Sequence, residues 1–144
     1  MKKKQIGCII VLAIVIIGSY IGYGSYMRKQ LPKTFASLVL ANTLGEEADK
    51  FKPTDMGEYA YFHTLSSMSF YSAKKNMPLE LLSEYNKCES IMYSKPLNKV
   101  ALCTAEEQLI NNCKDMCNRF GVTQAQIKNE LGRQYVHYKS YDLK

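Results

Sequence analysis

The sequence predicts an all-α protein, an N-terminal transmembrane helix followed by a small bundle of about five helices. Three observations carry that prediction. An uncharged, largely apolar run, Ile6–Tyr26, opens the chain. Beyond it, apolar residues recur at intervals of three and four and never in the alternation of a strand. Prolines, one turn glycine and capping residues then divide the remainder into helix-sized pieces.

The first element is the apolar run itself. Eighteen residues from Ile6 to Tyr23 carry no charge, and extending to Tyr26 gives 21. A bilayer core of ~30 Å needs about 20. Ile9–Ile17 followed by Gly22-Tyr23-Gly24 also fits the core and cleavage site of a signal peptide. Tyr20, Tyr23 and Tyr26, however, recur every three residues ahead of Arg28 and Lys29, the pattern of an interfacial aromatic belt with basic anchors beyond it. Residues 1–26 are therefore read as a membrane anchor or uncleaved signal (a signal-anchor). Gly18 and Gly22 have the small-x3-small spacing that lets two membrane helices pack closely, which points to a homodimer through the span. Cys8 opens the apolar core instead of following it, so it reads as a small residue of the span and not as a lipid acceptor. Lys2, Lys3, Lys4 and the α-amine slightly outweigh Arg28, Lys29 and Lys33. The positive-inside rule then leaves the N-terminus in the cytoplasm and exports the rest. The expected address is the inner, cytoplasmic membrane, single-pass, with a periplasmic or extracellular domain.

Pro32 is expected to separate anchor from domain, with 27–33 a linker and 34–144 the exported helical domain. The first domain helix is predicted over 34–51, with Leu40, Leu44, Ala48 and Phe51 on its inner face and Pro53 ending it. A second runs from about Asp55 to Lys75, its stripe formed by Met56, Tyr59, His63, Phe70 and Ala73. Pro78 suits the first turn of a third, facing inward through Leu81, Tyr85, Cys88 and Met92 and closed by Pro96. The fourth starts either near Leu97 or, by the capping-box pattern Thr104-Ala105-Glu106-Glu107, at Ala105. Either way Leu109, Ile110, Cys113, Met116, Cys117 and Phe120 form its stripe, and Gly121 stops it. Thr123 and Gln126 form a capping box, with Val122 and Ile127 the hydrophobic staple around it. The last helix presents Ile127, Leu131, Tyr135 and Tyr138.

Cys88, Cys103, Cys113 and Cys117 make an even count, which in an exported domain reads as a disulfide framework. Within one helix Cys103 lies roughly 15 Å from Cys113 and 21 Å from Cys117, while a bridge needs Cα atoms within ~7 Å. Full pairing is therefore Cys88–Cys103 with Cys113–Cys117. The alternative is a single bridge from Cys88 to Cys113 or Cys117. Buried thiols are the competing reading, because all four lie on apolar faces. Zinc is disfavoured by the cysteine spacing and by two distant histidines.

No nucleophile elbow, phosphate-binding glycine loop or His-Glu-x2-His motif occurs, and no cofactor is called for. His63 falls on an apolar stripe and is expected in the core. His137 has no placed carboxylate partner, and Glu106 and Glu107 point to different helix faces. These features argue against an enzyme. The net charge of +6 falls to +3 once the three N-terminal lysines are set aside, an ordinary mixed surface that argues against nucleic acid as the main partner. The expected function is that of a small bacterial-type envelope protein binding another protein, as a toxin neutraliser or an accessory to an envelope assembly.

One stretch, KDMCNRFGVTQAQIKNELGR, resembles the second and third helices of a helix-turn-helix. Cys117 takes the small-residue position, Gly121 the turn glycine, and Val122, Ile127 and Leu131 the buried positions. The resemblance implies that Gln124, Gln126, Asn129 and Arg133 face a major groove. It defines the alternative function, a membrane-tethered cytoplasmic nucleic-acid-binding protein with reduced thiols. About 20 of the 144 residues carry it.

Overall fold

The computed structural model describes the backbone of residues 3–139 and the side chains of residues 5–135. Five helices and no strand occur among them: α1 (Lys3–Phe51), α2 (Met56–Lys75), α3 (Leu79–Met92), α4 (Lys99–Arg119) and α5 (Gln124–Lys139). The all-α prediction is what the structure shows. His137 and Tyr138 have side chains outside the described residues.

The largest departure from the sequence reading is α1, a single helix of 49 residues with Pro32 inside it. The linker expected over 27–33 is helical, and the anchor and the first domain helix are one rod. An interior proline costs a helix ~3 kcal/mol, through a lost hydrogen bond and a ring clash. Here Met27 and Leu31, just before it, are fully buried, and Pro32 is itself buried. Burying two such side chains is worth roughly 3–6 kcal/mol, which is enough to hold the helix through the proline.

The domain half of α1 is the scaffold. Helices α2, α4 and α5 all pack on it, and α3 packs on α4. Helix α2 returns antiparallel along a seam of mostly small residues: Thr34, Leu38, Ala41, Gly45 and Ala48 on α1 alternate by four and three. On α2, Phe62, Ser66, Ser69 and Ala73 do the same. This is the spacing of two helices packed side by side. The Ser66 hydroxyl donates to the Ala41 carbonyl at 2.6 Å, and the Thr34 hydroxyl to that of Asn76 at 2.9 Å. A Cβ on Gly45 would stand 3.3 Å from the Ser66 oxygen, so small residues are needed where the helices approach. Phe51 stacks on Phe62 at the far end, ring centroids 5.6 Å apart.

Helix α2 begins where Asp55 caps it, its carboxylate accepting from the amides of Gly57 and Glu58 at 2.9 and 3.0 Å. Its predicted stripe is partly wrong, because His63 and Met56 are exposed. Phe70 and Ala73 of that stripe are buried, and the part of the inner face the sequence leaves unmarked is Ser66 and Ser69, whose side chains carry too little apolar area to show in a pattern. In α3, Tyr85 is fully buried, stacks on Phe70 at 4.5 Å and donates to the Phe70 carbonyl at 3.2 Å.

Helix α4 begins at the earlier of its two candidate starts. Asn98 is the cap, accepting from the Ala101 amide at 3.0 Å, and the hydroxyl of the internal Thr104 donates back to the Val100 carbonyl. Its C-terminus is a Schellman turn. The amide of Val122 reaches the Cys117 carbonyl at 2.9 Å, that of Gly121 reaches Asn118 at 3.2 Å, and Gly121 has φ +69°. The predicted capping box of α5 is present: the Thr123 amide donates to Gln126 at 2.8 Å, and the Gln126 amide to the Thr123 hydroxyl at 3.3 Å.

The core joins Met27, Leu31 and Leu38 of α1 to Phe70, Leu81, Tyr85, Leu109 and Met116, with Cys88, Cys113 and Cys117 among them. Leu109→Ala is expected to destabilise the bundle by about 3 kcal/mol in thermal or urea unfolding. Gly121→Ala, which places a Cβ in the left-handed region, is expected to cost about 1 kcal/mol by the same measurement.

Candidate functional surfaces

The two halves of α1 present opposite surfaces. Ile6, Ile9, Ile10, Val11, Leu12, Ile14, Val15, Ile16, Ile17 and Ile21 are each at least half exposed, with no other helix over them among the described residues. This segment is long and apolar enough to cross a membrane. Gly18 and Gly22 lie on it, and a Cβ at either would meet open space, so no packing among the described residues requires them.

The three belt tyrosines separate in space. All three are exposed, and Tyr23, the least so, also touches the bundle. Its hydroxyl donates to the carboxylate of Glu80 at the start of α3, and its ring meets Phe120 edge-on at 5.8 Å. The base of the bundle, formed by the start of α3 and the α4–α5 turn, therefore stands level with the last turns of the apolar segment. Nothing in the sequence marks Glu80 or Phe120 for this, because the contacts span 57 and 97 positions of the chain.

All four domain cysteines are free thiols. The bridge expected between Cys88 and Cys103 is not formed: Cys88 points into the core with no exposure, and Cys103 lies on the solvent face of α4. Burial pushes the Cys88 thiol up to about 11. Cys113 and Cys117, one turn apart on α4, share a hydrogen bond. It pushes Cys113 up, further raised by burial, and draws Cys117 down. Cys117 in turn lies 3.9 Å from the Leu31 carbonyl, against the proline turn of α1. No group of three or more His, Cys, Asp or Glu among the described residues is placed to hold a metal.

The residues assigned to a major groove divide as follows. Gln124 is exposed at the start of α5, and Gln126 is engaged in the capping box. Arg133 pairs with Glu130 at 3.1 Å. Gln126 and Asn129 look across a cleft of about 300 Å³ at Arg28, Lys29, Pro32 and Lys33 of α1. Gln134 fastens that side, accepting from the Ser37 hydroxyl at 2.9 Å and donating to the Lys33 carbonyl at 3.3 Å. Part of the face a duplex would meet thus already looks onto α1.

A second exposed surface lies away from the apolar segment. Met68 and Tyr71 of α2, Tyr93 at the end of α3, and Leu97 and Val100 at the start of α4 are all exposed, Val100 at 78%. The 14 residues of α3 rise about 20 Å from the level of Tyr23 to reach it. The hydroxyls of Tyr71 and Tyr93 are hydrogen-bonded, and this bond, with some burial, pushes Tyr71 up to about 12.

Fold and surfaces together define a five-helix bundle carrying an uncovered apolar N-terminal helix. No family model matches the chain, and neither a curated protein nor a solved structure matches it.

In the folded protein, Cys103 is expected to be the one domain cysteine that alkylates readily. Cys88, Cys113 and Cys117 are expected to react only after denaturation, as followed by peptide mass spectrometry. Tyr93→Phe is expected to bring the titration of Tyr71 down from about 12 toward its ordinary 10.0, read by ultraviolet difference absorbance.

Proposed function

We propose that this chain is a single-pass, membrane-anchored envelope protein whose exported bundle binds another protein, as a toxin neutraliser or an accessory to an envelope assembly. The observation that carries the reading is the division of α1 into an uncovered apolar half and a half that is the scaffold of a folded domain. A cleavable leader has no need to be continuous with the core helix of the domain it precedes. The partner surface is the one at the α3–α4 turn, where Met68, Tyr71, Tyr93, Leu97 and Val100 offer the aromatic and apolar side chains that dominate protein interfaces. In an oxidising compartment the bridge would form between Cys113 and Cys117, one turn apart on α4 and both buried, and not between the buried Cys88 and the exposed Cys103.

Topology is tested on spheroplasts with a membrane-impermeant maleimide, applied with and without prior reduction. Export predicts that Cys103 labels before lysis. Protection of Cys103 until lysis, after reduction as well as before, would place the domain inside and sink the proposal. The partner surface is tested by a photo-crosslinking residue at Val100 in living cells. A discrete protein adduct from Val100 and none from Lys128 is the expected result, whereas nucleic-acid adducts from Arg133 would favour the helix-turn-helix reading.

A further inference from the structure

The contacts of Tyr23 fix a depth for the bundle as well as a contact. From Ile6 to Tyr26, 21 uncharged residues rise about 31 Å along a helix, against a hydrocarbon core of ~30 Å. Tyr23 is one turn before the end of that run. It therefore lies at the membrane–water boundary, the depth at which tyrosine is enriched. Because α1 is unbroken, no hinge lifts the domain away from that boundary. Whatever touches Tyr23 shares its depth to within a side-chain length, and Glu80 and Phe120 touch it.

The chemistry at this level agrees. Leu79, next to Glu80, is 82% exposed, the largest value among the exposed large hydrophobic side chains. It is the first residue of α3. Arg28 and Lys29, both exposed, lie five and six residues beyond Tyr23, their Cα atoms about 8 Å further out along the axis, and the Arg28 guanidinium reaches back to the level of Gly24. Arg119 stands over the Phe120 ring at 5.9 Å. An apolar tip with cations beside and just outside it is the arrangement of an interfacial segment, in which basic side chains reach for phosphates.

We infer that the base of the bundle is seated in the headgroup layer of the membrane that α1 crosses. Leu79 enters the acyl boundary, and Arg28, Lys29 and Arg119 meet anionic lipid phosphates. The domain is thus held upright on the lipid surface, with its α3–α4 turn displayed away from it. This inference rests on the membrane-span reading of α1.

The chain contains no tryptophan, so single tryptophans report cleanly. Leu79→Trp, Tyr20→Trp and Val100→Trp are each reconstituted, as the full chain, in vesicles of phosphatidylcholine and phosphatidylglycerol with and without brominated acyl chains. All three positions are exposed, and unchanged helical circular dichroism confirms folding. Quenching by about twofold or more at Leu79→Trp and Tyr20→Trp, with little at Val100→Trp, is the result expected for interfacial burial. Quenching at Tyr20→Trp alone would overturn the seating and leave the span standing. Absence of quenching at both would remove span and seating together. Equal quenching at Leu79→Trp and Val100→Trp would mean that the bundle lies flat on the lipid, which also overturns the upright seating.

Discussion

The structure depends on α1 remaining helical through Pro32. A break there would leave an apolar helix on a tether and a bundle free to turn beside it. Burial of Met27 and Leu31 in the core shared with Cys113, Met116 and Cys117 outweighs the hydrogen bond the proline removes. Once the rod is continuous, the other helices are arranged around its domain half. Helix α2 follows the small-residue seam back along it, α4 runs down it from Leu109 near Leu38 and Ala41 to Cys117 near Leu31, and α5 climbs its other side.

That arrangement explains why so many contacts with α1 are short and polar. Thr34, Ser37 and Ser66 each satisfy a group on a neighbouring helix, and Gly45 allows the backbones to approach. Hydroxyls in a close seam fix the register of two helices more sharply than leucines would, since a slip leaves a buried donor unpaired. The fully buried Tyr85 plays the same part between α2 and α3, stacking on Phe70 and bonding its carbonyl.

The rod also separates the surfaces. Its apolar half is uncovered, its aromatic turn at Tyr23 is engaged by Glu80 and Phe120, and the remaining large exposed apolar side chains of the domain include those of the α3–α4 turn. A single continuous helix therefore joins the uncovered apolar segment to the scaffold of the folded domain. The α5 face that resembles a recognition helix lies alongside the rod, with Gln126 and Gln134 already committed to hydrogen bonds within the fold.

Much of this was legible in the sequence wherever the determinant is local. The capping box of Thr123 and Gln126, the stop at Gly121, the apolar stripes of α3 and α4 and the uncharged run of α1 depend on neighbours within a turn or two, and each is where the sequence puts it. Proline at position 32 was misleading because its local cost is real, and only the burial of distant residues against Met27 and Leu31 overrides it. His63 was placed inward because its period fits a stripe, yet the inner face of α2, read correctly at Phe70 and Ala73, continues through Ser66 and Ser69, whose burial depends on the helix opposite. Cys88 and Cys103 looked pairable by count, and the rotation of α3 against α4 turned one inward and the other out. The sequence by itself determined helices, caps and an apolar segment, because these follow from short-range sterics and hydrogen bonding. Tertiary structure alone decided the unbroken rod, the cysteine environments and the engagement of Tyr23 by Glu80 and Phe120, because each rests on contacts between residues far apart in the chain.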